Sequence, residues 1–303
     1  MRMSPQAAPT TGTAAVSQPP HGAAKTSPTA ILFPGQGSQT PEMRGTVERV
    51  RPELLEIVAE AVGEDPFPRA DEGTNFAQPA IFCASLAGWA SIGSPVTEMM
   101  AGHSLGELGA LVAAGALDER AAIALVALRG KLMYESGLAA GDGSMVAVMG
   151  AGAADRAQEI AAASELTVAN DNSPMQIVLS GAKTHIPDAI ESAEELGLRA
   201  MELDVTGAFH SPMMAAAVPE FERALQATEF REPLTTVISA VTAKPFTDPR
   251  RELADALTNP VRWREVLLTM HELGARRFVD VGPSRVLTGL AKRTLKGVEL
   301  VNA

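Results

Sequence analysis

Short apolar runs alternate with amphipathic stretches along most of the chain. Residues 30–33 are apolar at every position, 96–101 are mainly apolar but interrupted by Glu98, and 236–240 and 278–281 form two further short, mainly apolar runs. Runs of this length and composition predict buried strands. Between them, apolar residues recur at helical spacing over 52–62, 81–90, 105–117, 119–134, 215–228, 263–273 and 286–295. Strands alternating with helices predict an α/β domain with a mainly parallel sheet. From about residue 143 the rhythm tightens: strand 145–149, helix 153–163, strands 166–170 and 176–180, helix 185–196, strand 199–205. That is β-α-β-β-α-β, the ferredoxin-like order. The expected architecture is a large α/β-hydrolase-like domain built from 30–141 and 206–303, with an inserted ferredoxin-like (βαββαβ) subdomain at 142–205. Two such units leave a cleft between them, a favoured place for a small-molecule site. Residues 1–29 are mostly Ala, Pro, Thr, Ser and Gly. They bury too little apolar surface to offset their ordering entropy, so a disordered tail is expected.

Composition narrows the class. The 303 residues are 46% hydrophobic and 20% charged, enough chain for a sizeable core. No stretch approaches the ~18 apolar residues of a membrane span. A net charge of −11 argues against non-specific nucleic-acid binding. The single cysteine, Cys83, lies in an apolar run and reads as a small buried hydrophobe. It permits neither a disulfide nor a cysteine zinc site, and the expected compartment is the cytoplasm.

The candidate chemistry centres on Gly102-His103-Ser104-Leu105-Gly106. A G-x-S-x-G turn between a strand and a helix has the form of a nucleophile elbow, which lifts a serine out of the backbone. The helix N-terminus behind it offers free N–H groups where an oxyanion would develop. Such a serine needs a base. Among His21, His103, His185, His210 and His271, the candidate is His210, in an irregular segment just after the subdomain. His103 adjoins the serine and reads as support for the turn, and His185 as a surface residue. Asp204 or Glu202 could orient the base as an acid between serine and histidine, and a backbone carbonyl could do so equally well. Gly35-Gln36-Gly37 lacks the remainder of a nucleotide fingerprint and reads as a tight loop presenting backbone N–H groups to the cleft. Arg129 sits in an apolar helical context. It reads either as a snorkelling or structurally paired cation or as a two-pronged clamp for a substrate carboxylate.

Seven motifs occur in order: Phe33-Pro34-Gly35-Gln36-Gly37-Ser38-Gln39, Gln78-Pro79-Ala80, Gly102-His103-Ser104-Leu105-Gly106-Glu107, Arg129-Gly130-Lys131, Gly207-Ala208-Phe209-His210, Asn259-Pro260-Val261 and Val281-Gly282-Pro283. Together they resemble the malonyl-CoA:acyl-carrier-protein transacylase family, whose domain also serves as the acyltransferase of fatty-acid and polyketide synthases. The resemblance runs from about residue 30 to 295. It implies transfer of malonyl from malonyl-CoA to the phosphopantetheine thiol of holo acyl carrier protein, by a ping-pong route through malonyl-Ser104. It implies His210 as base, oriented by a main-chain carbonyl from 259–262, and the backbone N–H groups of Gln36 and Leu105 as oxyanion hole. Arg129 would bind the malonyl carboxylate, with Gln78 near the acyl group and Asn172 facing the cleft. Phe209 and Leu105 would favour malonyl over methylmalonyl; Gly207 departs from the histidine that polyketide malonyl domains often carry there. The resemblance implies a monomer; thioester-to-thioester transfer through a serine needs no metal or redox cofactor, and the acidic charge and lack of a long apolar stretch lead us to expect no nucleic-acid or membrane partner. Carrier-protein docking is expected on Arg285, Lys292, Arg293 and Lys296, or on Arg276 and Arg277. A thioester hydrolase would use the same serine and histidine but has no need of Arg129, and a non-catalytic carrier-binding module would need none of the three.

Overall fold

The computed structural model describes Met1 and residues 27–303. The expected tail lies outside the described residues over 2–26, while Thr29, counted with it, already opens the first strand. In chain order the elements are β1 (Thr29–Phe33), α1 (Met43–Val50), α2 (Glu53–Val62), α3 (Thr74–Ser91), β2 (Met99–Gly102), α4 (Gly106–Ala113) and α5 (Glu119–Ala140). Then follow β3 (Gly143–Met149), α6 (Ala153–Ala163), β4 (Thr167–Ser173), β5 (Gln176–Ala182), α7 (Ile186–Glu195) and β6 (Arg199–Glu202). The chain ends with α8 (Val218–Ala227), β7 (Thr236–Ile238), α9 (Pro249–Asp255), α10 (Trp263–Glu272), β8 (Arg277–Asp280), α11 (Val286–Thr294) and β9 (Glu299–Asn302).

The fold is α/β with two sheets. Five strands in the order β7-β2-β1-β8-β9 form one sheet, parallel at every pairing. Its central strand shows why the apolar runs are continuous. Ile31 and Phe33 pack toward α3, α4 and α5, and Ala30 and Leu32 pack on the opposite face against Trp263, Leu267 and Leu290. Both faces are covered, so both sets of alternating side chains are apolar. The second sheet, β4-β5-β3-β6, is antiparallel throughout and has the ferredoxin-like order. Val146 and Val148 of β3 pack beneath α6 and α7 with Ile160, Ile186 and Ala189. Met145 and Ala147 point the other way, toward the parallel sheet and a shared cavity.

The two sheets are tied together beside that cavity. The Asp171 N–H donates to the Val261 carbonyl (2.9 Å), and the Val261 N–H donates to the Ala169 carbonyl (2.8 Å). The Arg264 guanidinium grips both Asp171 carboxylate oxygens at 2.7 to 3.0 Å.

Several boundaries differ from the sequence reading. The strand expected at 199–205 ends at Glu202, and 215–228 divides into a 3₁₀ turn, Pro212–Ala217, followed by α8. α1, α9 and β9 were not expected; all three are short and carry few apolar residues, so they hold their shape through tertiary contacts. The largest difference is α3. The helix expected over 81–90, with Pro79 ahead of it, begins at Thr74 and holds Pro79 inside it. The physical consequence is local: Thr74 and Gln78 stand one turn apart on a single face.

Candidate active site

The parallel sheet supplies the floor of the site. At the end of β2, Ser104 adopts φ +54°, a left-handed conformation that a non-glycine residue takes only where its surroundings enforce it. The enforcement is close packing. A Cβ on Gly102 would lie 1.9 Å from the Gly106 carbonyl carbon, and one on Gly106 would lie 2.1 Å from the Phe33 carbonyl oxygen. Only glycines let β1, β2 and α4 meet closely enough to set this turn.

Ser104 Oγ sits between two cationic or basic groups. Its hydroxyl lies 2.9 Å from His210 Nε2. The Arg129 Nη2 donates to the same oxygen at 3.0 Å. His210 Nδ1 is 2.7 Å from the Ala256 carbonyl. A carbonyl can only accept, so Nδ1 carries the proton and Nε2 is left free to take one from the serine. That carbonyl lies just before the expected 259–262 segment, at the C-terminal cap of α9, where helix carbonyls lack intrahelical partners, and the backbone of Asn259, inside that segment, also faces the imidazole. It also answers the question left open about an orienting acid. Glu202 is spent on Ser144 and Lys183, and Asp204 lines the cavity without reaching His210.

Arg129 is 3% exposed and has no ion-pair partner among the described residues. Its Nη1 donates to Gln78 Oε1 (2.7 Å), Gln78 Nε2 to Thr74 Oγ1 (2.8 Å), and Thr74 Oγ1 to Gln36 Oε1 (2.8 Å). Gln78 is thus a holder of Arg129. Burial pushes the guanidinium down to about 10. Burial likewise pushes the Glu107 carboxyl up, to about 8, which weakens it as a counter-ion. Burial, then the nearby Arg129 charge, push His210 down to about 3. The site therefore holds an imidazole disposed to stay neutral beside a buried cation that makes no ion pair among the described residues.

The other sequence-derived residues converge on the same cavity of about 340 Å³. Gln36 and Leu105 line it, and neither backbone N–H has a hydrogen-bond partner among the described residues. Phe209 lines it beside His210. Asn172 also lines it, but its Oδ1 is taken by His103 Nε2 (2.8 Å). His103 stands edge-on to Trp263, 5.4 Å between ring centroids, so it buttresses the elbow as expected. Gly207 has a packing reason: a Cβ there would come within 2.9 Å of Gly137 Cα on α5. Cys83 is buried, and burial pushes its thiol up, away from reactivity. His185 is partly exposed on the Ser164 carbonyl, and His21 lies outside the described residues. Of the expected basic patch, Arg277 is engaged by Glu299 and Arg276 by the His271 carbonyl, whereas Arg285, Lys292, Arg293 and Lys296 are exposed.

Sequence reasoning missed Thr74, Glu107 and the cavity walls from the antiparallel sheet, Met145, Ala147 and Val178. Glu107 was visible in the elbow motif, where its helical spacing from Ser104 places it on the first turn. The wall residues look like ordinary strand positions.

Among the described residues, no helix is long and apolar enough to cross a membrane. The family model for the acyl transferase domain matches residues 31–302. The chain is 36% identical over 284 residues to the malonyl CoA-acyl carrier protein transacylase of Escherichia coli strain K12, spanning 87% of this chain and 92% of that one. It is 38% identical over 285 residues to the polyketide biosynthesis protein ThaF of Burkholderia thailandensis, covering 88% of this chain but only 24% of ThaF. The structure superposes on the malonyl CoA-acyl carrier protein transacylase of Coxiella burnetii with a TM-score of 0.84 at 31% identity, over 91% of this chain and 93% of that one. A parallel sheet presenting Ser104 to His210, with these relatives along nearly the whole described length, identifies the chain as an acyltransferase belonging to the acyl transferase domain family.

Proposed function

We propose that this chain transfers malonyl from malonyl-CoA to the phosphopantetheine thiol of holo acyl carrier protein, by a ping-pong route through malonyl-Ser104. The observation that carries the reading is Arg129, a buried cation without a counter-ion, aimed at the nucleophile. A carboxylate one methylene away from the reacting carbonyl would pair with it, and an acetyl group would leave it unpaired. An unpaired buried charge costs several kcal/mol, enough for strong discrimination.

His210 Nε2 takes the Ser104 proton as Oγ attacks the thioester carbonyl. The free N–H groups of Gln36 and Leu105 hold the resulting oxyanion. Collapse breaks the C–S bond, and the CoA thiolate leaves with the proton from His210. The carrier thiol then repeats the sequence in reverse: His210 takes its proton, sulfur attacks the malonyl ester, and Ser104 recovers its hydrogen. The acidic carrier would dock on the exposed cations around α11, whose Val286, Leu287 and Leu290 line the cavity. Phe209 beside His210 limits room for an α-methyl branch.

Intact-mass measurement tests the reading. Malonyl-CoA without acceptor should leave a stable malonyl adduct that holo carrier protein discharges, and Ser104→Ala should show none. Rapid CoA release without an acceptor would instead mark a hydrolase.

A further inference from the structure

The resting geometry has a feature that transfer chemistry alone does not require. Arg129 does not wait in the cavity for an anion; its Nη2 already donates to the nucleophile at 3.0 Å, while Nη1 is held by Gln78 at 2.7 Å. The same Ser104 oxygen faces His210 Nε2 at 2.9 Å. We propose that Arg129 locks Ser104 in the empty enzyme, and that a carboxylate seated on Arg129 is the key that releases it, so that the substrate's own carboxylate switches on the nucleophile as well as binding. The proposal rests on the malonyl-transfer reading and adds the regulation of that site.

Two effects of the contact act in the same direction. Ser104 Oγ has two lone pairs, and donation from a cation ties up one of them and lowers the nucleophilicity of the oxygen. Proton transfer from Ser104 also makes His210 an imidazolium. With Arg129 and His210 both buried, that creates a second cation beside one that has no ion-pair partner among the described residues, where screening by water is weak. The groups facing this cluster are Arg129 and Glu107 from α5 and α4, His103 from the elbow, and Asp204 at the cavity wall. Of the two carboxyls, Glu107 bonds to the Ala240 N–H (2.7 Å) and Asp204 makes no ion pair with Arg129 among the described residues, so neither performs the release. A carboxylate that takes the guanidinium by two parallel hydrogen bonds withdraws Nη2 from Ser104 and cancels the opposing charge. Water and carboxylate-free acyl groups offer no such partner. Acetylation is therefore suppressed at the chemical step, not only by binding.

The test separates the carboxylate from the acyl group. Malonyl-CoA corresponds roughly to acetyl-CoA plus formate, and the cavity of about 340 Å³ has room for both. Full-length protein is incubated with acetyl-CoA in sodium formate or in sodium chloride at equal ionic strength, and acetyl-Ser104 is followed by intact mass. Formate should accelerate acetylation about tenfold, saturably. In Arg129→Gln, acetylation without formate should exceed the wild type's and should not respond to formate. Arg129→Lys, with a single ammonium in place of the fork, serves as a second variant and should show weakened formate dependence. Formate that leaves wild-type acetylation unchanged or slower overturns the lock, as does slower basal acetylation in both variants. Malonyl-CoA run in parallel keeps the two ideas apart. Normal malonyl labelling with no formate effect sinks only the lock, whereas absent malonyl labelling sinks the transfer reading and the lock with it.

Discussion

At the scale of single residues, the site is governed by one unbalanced charge. Arg129 is held in place by Gln78, and burial raises the Glu107 carboxyl to about 8, weakening it as a counter-ion. The consequence for His210 can be measured. Burial and the Arg129 charge push it down to about 3, and a base works only above its own value, where it is unprotonated. The pH profile of kcat/KM for malonyl-CoA reports the free enzyme, so it should stay flat from pH 8 down to about 5, without the acid limb near 6.5 of an ordinary histidine. Arg129→Gln removes the larger of the two charge effects that act beside burial, and its limb should move upward in pH. A wild-type limb near 6.5 would refute this account. Ser104 and His210 were legible in the chain because an elbow and a Gly/Pro-flanked histidine have local signatures. The Ala256 carbonyl was not, because any residue's backbone can accept a hydrogen bond.

At the scale of elements, the elbow is a three-way contact between β1, β2 and α4. Gly106 sits where a side chain would meet the Phe33 carbonyl at 2.1 Å, backbone that cannot swing aside. Gly106→Ala should therefore cost about 1–3 kcal/mol in stability. It should also slow Ser104 malonylation at least about 100-fold, since a misplacement of about 1 Å is enough for that. Thermal unfolding and single-turnover mass measurements check the two halves; a variant normal in both would show that the turn tolerates a Cβ. α3 carries the complementary lesson. Its start was misjudged because proline is locally disfavoured inside a helix, and tertiary burial of 74–87 overrode that preference. The correction matters for function, because it aligns Thr74 and Gln78 into the relay that holds Arg129.

At the scale of the whole molecule, the site exists only because two sheets face each other at a set distance. The parallel sheet brings Ser104, and the antiparallel sheet brings Met145, Ala147, Val178 and Asn172 as the opposite wall. Asp171 and Arg264 fasten the two, with side chains 18% and 30% exposed. Asp171→Asn should cost about 1–3 kcal/mol by leaving Arg264 without its carboxylate. It should also raise KM for malonyl-CoA more than it lowers kcat, because the wall shifts while Ser104 and His210 stay. Denaturant midpoints and steady-state kinetics test this, and unchanged values of both would show that the backbone pairing of Asp171 with Val261 suffices alone. The amino-acid sequence by itself determined the fold class, the order of the main strands and helices, the elbow and the family. Those follow from periodicity and from motifs contiguous along the chain. Only the tertiary structure decided which carbonyl holds His210, how Arg129 is presented and what closes the cavity. These depend on backbone atoms and on side chains far apart in sequence, and neither leaves a local pattern. The unpaired charge of Arg129 belongs to both: the arginine is in the sequence, and its isolation is in the fold.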